Sequence, residues 1–145
     1  MVRDTGNVCG VMVVGTDGTD SGDRAVEYAL SFAEQYDSRL HVLSVVDTDR
    51  HGEPALSSRE LVTVDAEERA REHLAEVEAR AAERGVEVVT RCCHGAPDRE
   101  LLSYADGVDA DLTVLGYRGD LPNRRGIGRV TDRVVRASDR PLLLV

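Results

Sequence analysis

The sequence of 145 residues predicts an α/β fold, a doubly wound five-stranded parallel sheet with helices on both faces. Segments with strand patterns alternate with segments with helix patterns in the order β-α-β-α-β-α-β-α-β, which calls for right-handed crossovers between parallel strands. The strand segments are apolar throughout rather than alternating, as expected when both faces of a sheet are covered. No repeat, linker or change of composition divides the chain, so residues 1–145 are expected to form one domain.

The first two predicted strands flank an amphipathic helix. Val8–Val14 is a β-branched apolar run that ends at Gly15, which is typical of a buried strand. Asp20–Tyr36 carries its apolar residues on one helical face, and Leu40–Val46 is the second strand. The polar stretch from 47 to about 58 contains glycine and proline and is expected to be a mobile loop.

The longest helix is predicted over Val64–Arg84, where apolar residues recur every three or four positions, and Gly85 ends it. Val86–Cys92 is the third strand. Pro97 then opens a short helix, because proline suits the first helical position and acidic residues in the first turn favour the helix dipole.

The last part of the chain contains the fourth and fifth strands, Leu112–Leu115 and Pro141–Val145, and a helix over about Arg129–Ala137. Between them, Gly116–Gly128 is rich in glycine and arginine and shows no core periodicity. In a sheet of this type, ligands bind beyond the carboxyl ends of the strands, where the strand order reverses. The loops after strands one and four are therefore the expected binding loops.

The charge balance excludes several mechanisms. Asp and Glu number 27 against 18 basic residues, which gives a net charge of -9, and every basic residue is Arg. Without Lys, the chain has no Walker-type phosphate-binding lysine, no Schiff-base lysine and no lysine general base. The acidic balance also argues against a nucleic-acid partner, because no basic stripe can neutralise phosphates.

The same composition suggests a habitat and a compartment. A high acid load with Arg in place of Lys is typical of a protein from a very salty cell, where salt screens the repulsion; the alternative is an ordinary acidic cytosolic protein. No apolar stretch approaches the roughly 20 residues that cross a bilayer. The first residues lack an apolar signal region, so a cytoplasmic protein without a membrane partner is expected.

The three cysteines form neither a disulfide framework nor a metal-ligand spacing. Cys92 and Cys93 precede His94, but neighbours on a strand point to opposite faces and cannot easily share one ion. The cysteines, with Cys9, are expected to be small buried residues, and no metal site is predicted.

Glycines recur in both expected binding loops. Glycine lets backbone amides approach an anion, and the following helix N-terminus adds its positive end, although such glycines can also serve only to make turns. In a chain without Lys, amides and arginines are the main means of holding phosphate. Gly126-Ile127-Gly128 begins like a dinucleotide fingerprint but follows a long loop rather than the first strand.

Five segments of the chain have a specific order and spacing: Val14–Thr19, Val42–Asp47, Gly95–Pro97, Ala110–Gly116 and Arg140–Val145. Through these segments the chain resembles the universal stress protein family over essentially its full length. The resemblance implies a Rossmann-like fold of the adenine nucleotide alpha hydrolase type and a homodimer. One branch of this family binds ATP and another does not.

The loop after strand four departs from the ATP-binding pattern of the family, Gly-x2-Gly-x9-Gly followed by Ser or Thr. Gly116 and Gly119 keep the first spacing, but eight residues separate Gly119 from Gly128, and the next residue is Arg129. The loop is one residue short and lacks the hydroxyl that contacts phosphate. Thr131 lies about half a turn further round the helix and is a poor substitute.

The resemblance implies a site for ATP or AMP, alone or with Mg²⁺ or Mn²⁺, or no cofactor if the chain belongs to the other branch. Asp17 would meet the ribose or base. Its neighbour Thr16 is also expected to be a binding residue. Val45 and Leu115 would flank the adenine. The alternatives are a helix or loop cap for Asp17 and plain core positions for Val45 and Leu115. Backbone for ribose and phosphates would come from Gly116, Gly119, Gly128 and Val130.

Arg129 has two interpretations. A guanidinium at a helix N-terminus opposes the dipole by about 0.3–1 kcal/mol, which is tolerable if an anion lies nearby. Arg129 could then replace the missing hydroxyl with a charge-assisted phosphate contact, helped by Arg124 or Arg125. Alternatively, its bulk fills the phosphate site, or it pairs with surface carboxylates.

No catalytic residue is predicted. The histidines lie on separate elements; His73 is expected to be solvated, and His94, just past strand three, either approaches a ligand or is a satisfied loop residue. Asp17 and Asp20 could help hold a divalent ion on nucleotide phosphates. Any ATP hydrolysis is expected to be slow and incidental. The remaining histidines are His41 and His51.

The final strand Leu142–Val145 is implied to lie at the sheet edge, and an exposed apolar edge is expected to pair with its twin in a second subunit. The leading hypothesis is a dimeric stress-response protein that binds an adenine nucleotide as a sensor or switch. The alternative is a nucleotide-free protein-interaction module in which Arg129 occupies the phosphate site. A third possibility is a weak hydrolase of the adenine-nucleotide type.

Overall fold

The computed structural model describes residues 9–48, 56–117 and 127–145, and for 56–63 it gives the backbone alone. Strands and helices alternate there in the predicted order, which is confirmed. The strands are β1 (Val11–Thr16), β2 (Arg39–Asp47), β3 (Val88–Gly95), β4 (Leu112–Leu115) and β5 (Leu142–Leu144). The helices are α1 (Asp20–Tyr36), α2 (Leu56–Glu83), α3 (Pro97–Gly107) and α4 (Arg129–Ala137).

The five strands form one parallel sheet in the order β3-β2-β1-β4-β5. The chain moves outward from β1 to β2 and β3, and then returns to place β4 on the other side of β1. The strand order therefore reverses between β1 and β4. The edge at which all the strands end, here the carboxyl edge, is where the doubly wound architecture places a ligand.

Two hydrophobic clusters hold helices on the two faces of the sheet. On the α1–α2 face, Met12 and Val14 of β1 pack with apolar side chains of α1 and α2 such as Leu30 and Leu74. On the α3–α4 face, Val13 packs with apolar side chains of α3, α4 and the other strands. Because helices cover both faces, the central strands are apolar on both sides, as predicted.

Ion pairs fasten α2 to α1. Arg80 Nη2 lies 2.8 Å from Asp23 Oδ1, and Arg84 Nη2 lies 2.7 Å from Glu27 Oε2. A second Arg80 nitrogen also contacts Glu27, so two arginines and two carboxylates form a small network. The bidentate capacity of the guanidinium suits this network, because one arginine can contact two carboxylates at once.

The prediction for the start of α2 is wrong. The helix begins at Leu56 rather than at Val64, so the predicted loop over 47–58 ends in helix. Extending a helix that has already formed adds one hydrogen bond for each residue fixed. A polar segment can therefore continue the helix without an apolar stripe of its own.

Both ends of β1 and of β3 also differ from the prediction. β1 starts at Val11, with Val8 outside the described residues, and it extends through Thr16 because its last two residues still pair with β2. β3 starts at Val88, because the N–H of Val86 donates to the carbonyl of Ala81 and so closes the end of α2. β3 then continues to Gly95, since its pairing with β2 persists that far.

None of the helices in the described ranges is both long enough and apolar enough to cross a membrane.

Candidate functional site

The loop that joins β1 to α1 is organised by its own side chains. The Oδ1 atom of Asp17 accepts hydrogen bonds from the amide and hydroxyl of Thr19, with the amide at 3.0 Å. Thr19 Oγ1 in turn accepts the N–H of Gly22 at 3.2 Å and caps α1. Asp17 is exposed and acts in part as the loop cap that was one interpretation of its sequence position. A carboxylate so fixed at the carboxyl edge can also accept hydrogen bonds from hydroxyl groups of a ligand.

Thr16, the last residue of β1, is buried with 7% of its surface exposed. Its hydroxyl oxygen lies 3.4 Å from the amide nitrogen of Gly18 and 3.1 Å from Nε2 of His73. The prediction that His73 is solvated is wrong: the residue is half-buried and reaches from α2 to the end of β1. It lies directly before the core residue Leu74 on α2, which is the signal that could have indicated this position.

The loop that follows β4 is closed at its base. The hydroxyl of Thr131 donates to the carbonyl oxygen of Gly116 at 2.7 Å, and the N–H of Gly128 donates to the carbonyl oxygen of Tyr117 at 2.9 Å. These bonds hold the N-terminus of α4 against the end of β4. The Thr131 hydroxyl is buried and engaged in this structural contact, which agrees with its description as a poor substitute for a phosphate ligand.

The loop after β4 touches the first turn of α1 at Gly116. A Cβ atom at this position would overlap Oγ of Ser21 and lie 2.9 Å from the carbonyl oxygen of that residue. Glycine is required here by the close approach, since a real side chain would force the two segments apart. The end of β4 and the start of α1 thus lie against each other where the strand order reverses.

The N-termini of α1 and α4 differ in their capacity to hold an anion. α1 is capped by Thr19 and carries Asp20 and Asp23 in its first turn. The N-cap residue of α4 is Gly128, which offers no side-chain cap, and Arg129 is exposed at the first helical position. The one acidic residue in the first turn of α4 is paired with Arg136. Among the described residues, the N-terminus of α4 thus presents backbone N–H groups and an exposed guanidinium, whereas that of α1 is capped and acidic.

The residues predicted to flank an adenine lie on the α3–α4 face. Leu115 is 5% exposed, and its side chain fills the space above Gly15, where a Cβ would meet Leu115 Cδ2 at 3.1 Å. Val45 and Val130 are half-buried and pack against the same cluster. Leu115 thus occupies a core position, whereas Val45 and Val130 keep surface at the carboxyl edge. Gly119 lies outside the described residues.

His94 and His41 are engaged away from these loops, and His51 lies outside the described residues. His94 belongs to β3 rather than to a loop past it, because β3 extends to Gly95, and its Nε2 lies 3.6 Å from Oε2 of Glu67 on α2. His41 is buried on β2, and its Nδ1 lies 2.8 Å from the hydroxyl oxygen of Tyr104. Burial, followed by the positive charges of nearby arginines, lowers the pKa of His41. His41 is therefore a structural residue of the α3–α4 face.

The adjacent cysteines point to opposite faces, as predicted. Cys92 packs against the cluster on the α1–α2 face and Cys93 against that on the α3–α4 face, and both are half-buried free thiols. Burial raises the pKa of both thiols, which favours the thiol over the reactive thiolate. Across residues 9–48, 56–117 and 127–145, no three His, Cys, Asp or Glu side chains are grouped to hold a metal ion.

Comparisons of sequence and of structure with known proteins agree on one family. A sequence model of the universal stress protein family matches residues 10–145. The chain is 32% identical over 147 residues to the universal stress protein MJ0531 of Methanocaldococcus jannaschii, covering 100% of this chain and 86% of that protein. The universal stress protein UspA from Lactobacillus plantarum superposes with a TM-score of 0.86 at 24% identity, covering 93% of this chain and 96% of that one. A universal stress protein solved in complex with cAMP has a TM-score of 0.67 at 29% identity, with 94% and 96% covered.

Proposed function

This chain belongs to the universal stress protein family, and we propose that it is a dimeric member that binds an adenine nucleotide as a sensor or switch in the stress response. A related structure was solved in complex with cAMP, which supports an adenosine phosphate as the class of ligand. The proposal includes the predicted binding residues that lie at the carboxyl edge. They are Thr16, Asp17, Val45, Leu115, Gly116, Gly128, Arg129 and Val130.

The observation that carries the proposal is the state of the α4 N-terminus. Its N-cap residue, Gly128, has no side chain to cap the helix, Arg129 is exposed beside it, and two hydrogen bonds hold it against the start of the loop after β4. An anion at this position would receive backbone N–H groups, the positive end of the helix and a guanidinium together. We assign the phosphate groups to this N-terminus. The space between it and the loop after β1 is called the proposed crevice below.

The opposite side of the crevice suits the ribose and base. The first turn of α1 repels phosphate because Asp20 and Asp23 lie there and Thr19 already caps the helix. Asp17 can accept hydrogen bonds from ribose hydroxyls, and Val45 offers an apolar surface for the adenine. Any Mg²⁺ or Mn²⁺ is expected to arrive with the nucleotide and to be held chiefly by its phosphates, since such ions prefer phosphate and carboxylate oxygens.

A second candidate function is a nucleotide-free interaction module. The packing of Leu115 favours it, because the side chain fills the space above Gly15 and leaves no recess there. An adenine on this face would have to lie beyond Leu115 or displace it. In this alternative, Arg129 and the neighbouring loop serve a protein partner.

Dimer formation through β5 is part of the proposal. Among the described strands, β5 pairs with β4 alone, so its other side forms an edge of that sheet, and its three leucines are half-buried. An apolar edge strand is a template for pairing with another chain. A two-fold axis beside β5 would join the sheets of two subunits into one and cover this edge.

Calorimetry and thermal unfolding with ATP, ADP and AMP, with and without MgCl₂ or MnCl₂ and in molar KCl, test the nucleotide proposal. At a concentration about 100-fold above the dissociation constant, a true ligand stabilises the fold by about 2.7 kcal/mol and raises the Tm accordingly. Absence of heat and of a Tm shift with all three nucleotides would reject nucleotide binding and favour the interaction module.

A further inference from the structure

The hydroxyl group of Thr16 brings together β1, the loop that follows it and helix α2. It belongs to the last residue of β1, it lies 3.4 Å from the amide nitrogen of Gly18 in the following loop, and it lies 3.1 Å from His73 Nε2 on α2. Either partner of the threonine–histidine pair can donate, since a neutral imidazole presents N–H or a lone pair at Nε2 according to its tautomer. The hydroxyl is thus held between the loop and the helix.

The first turn of α1 packs directly on this group. A Cβ atom at Gly22 would lie 3.1 Å from Thr16 Oγ1 and 2.6 Å from Asp17 Oδ1. The Gly18 backbone lies in the left-handed region with φ of 78°, so the loop makes a sharp turn between these contacts. A shift of the Thr16 hydroxyl would therefore move Asp17 and the start of α1 with it.

His73 reaches the loop from a well-fixed helix. Its neighbours Leu74 and Val77 are buried in the cluster on the α1–α2 face, and Arg80 is ion-paired with α1 one turn further on. The histidine is separated from Thr16 by 57 positions in the sequence, so it supports the loop from outside the strand–loop–helix unit.

We propose that His73 is a positioning residue of the nucleotide site. Its imidazole holds the Thr16 hydroxyl, and the hydroxyl fixes the loop that presents the exposed Asp17 at the carboxyl edge of the sheet. His73 itself touches no ligand in this arrangement. The inference rests on the proposed function, because it assigns His73 to the geometry of the same site.

The first test measures ATP and AMP affinity by calorimetry for three variants. His73→Leu is expected to weaken binding about tenfold, the effect of losing roughly one net hydrogen bond, whereas His73→Gln retains affinity because its amide nitrogen can replace Nε2. His94→Leu is the matched control, since His94 also contacts α2, through Glu67, but lies on β3. If His73→Leu does not fold, His73→Asn replaces it, because the shorter amide does not reach Thr16.

A double-mutant cycle shows whether His73 acts through Thr16. In the Thr16→Val background, which keeps the shape of the side chain and removes the hydroxyl, adding His73→Leu is expected to leave the dissociation constant unchanged. Full additivity of the two substitutions would overturn the proposal, because it would mean that the histidine acts by another route.

Amide hydrogen exchange without nucleotide separates this inference from the proposed function. The amides of Gly18 and Thr19 are expected to exchange about tenfold faster in His73→Leu than in the wild type or in His94→Leu. If the wild type binds nucleotide while His73→Leu binds equally well and shows unchanged exchange, the inference is overturned and the proposed function stands. If no nucleotide binds, the proposed function fails, and the exchange rates still decide whether His73 positions the loop.

Discussion

Thr16 Oγ1 lies 3.1 Å from Nε2 of His73, so a buried hydroxyl at the end of β1 is held by a helix 57 positions further along the chain. A second buried threonine, Thr131, makes the corresponding contact on the other side of the sheet, where its hydroxyl donates to the carbonyl of Gly116. The loop that leaves β1 and the start of the loop that leaves β4 are thus each held by a threonine hydroxyl.

Arg129→Ala is expected to weaken ATP binding about tenfold and to leave adenosine binding unchanged, because the guanidinium is assigned to the phosphates. Calorimetry with both ligands at one salt concentration measures the difference. Arg39→Ala is the control for net charge, since Arg39 is exposed at the amino end of β2, where it pairs with Glu87. Tighter ATP binding by Arg129→Ala would mean that the arginine blocks the phosphate position.

Gly116→Ala is expected to lower the free energy of unfolding by about 1–3 kcal/mol, because the new methyl group would overlap Ser21 and push the two loops apart. Gly107→Ala is the matched control at the end of α3, where a Cβ meets nothing within 4 Å. Gly107→Ala is expected to raise the free energy of unfolding by about 0.5–1 kcal/mol, because alanine reduces the backbone freedom of the unfolded chain. Urea unfolding measures the free energy of unfolding of both variants. Equal values for Gly116→Ala and Gly107→Ala would contradict the close approach of Gly116 to Ser21.

His41 gives the fold a predictable dependence on pH. Burial lowers the pKa of this histidine, so the unfolded chain, with a pKa near 6.5, binds its proton more tightly than the folded protein does. The free energy of unfolding is therefore expected to fall as the pH drops below about 6.5 and to level off, as far as this residue is concerned, below the lowered pKa.

Urea unfolding at a series of pH values between about 8 and 5 measures this dependence. His41→Gln is expected to flatten the profile in that window. Identical profiles for the wild type and His41→Gln would show that His41 is not the group responsible.

Leu144→Pro is expected to give a monomer. The N–H of Thr113 donates to the carbonyl oxygen of Pro141, and the N–H of Val145 donates to that of Leu115. Residues 141 and 145 thus direct backbone groups toward β4. Because such groups alternate along a strand, the N–H of Leu144 points to the opposite edge of β5. Proline removes that donor without removing a bond to β4. Light scattering coupled to size exclusion is expected to give 15.8 kDa for this variant and twice that mass for the wild type and Leu144→Ala. A wild type that is already monomeric contradicts the dimer.

The fold was largely predictable because its signals are local. α1 and α4 begin and end at the predicted residues, and their first residues follow Thr19 and Gly128, which both occupy N-cap positions. The parallel direction of the strands followed from the alternation of elements, since a crossover through a helix joins two parallel strands. The extension of α2 to Leu56 was not predictable, because its first two turns show no apolar stripe.

The candidate site was predictable only as a set of loops. The rule of strand reversal selects the loops after β1 and β4, and the contact between Gly116 and Ser21 agrees with it. The supports of those loops depend on how α2 and α4 dock on the sheet, which no local pattern reveals. His73 was therefore predicted to be solvated, although its place beside Leu74 puts it at the border of the buried stripe.

The most direct test of the central claim is a titration of the ¹⁵N-labelled wild-type protein with AMP and ATP, followed by amide chemical shifts. Binding in the proposed crevice is expected to shift the amides of Asp17, Val45, Gly116, Arg129 and Val130, with larger changes at the last two for ATP. The amides at the amino ends of the strands, such as that of Arg39, are expected to stay unchanged. Spectra that do not change at saturating nucleotide, or changes confined to other parts of the protein, would contradict the assignment of a nucleotide to this edge of the sheet.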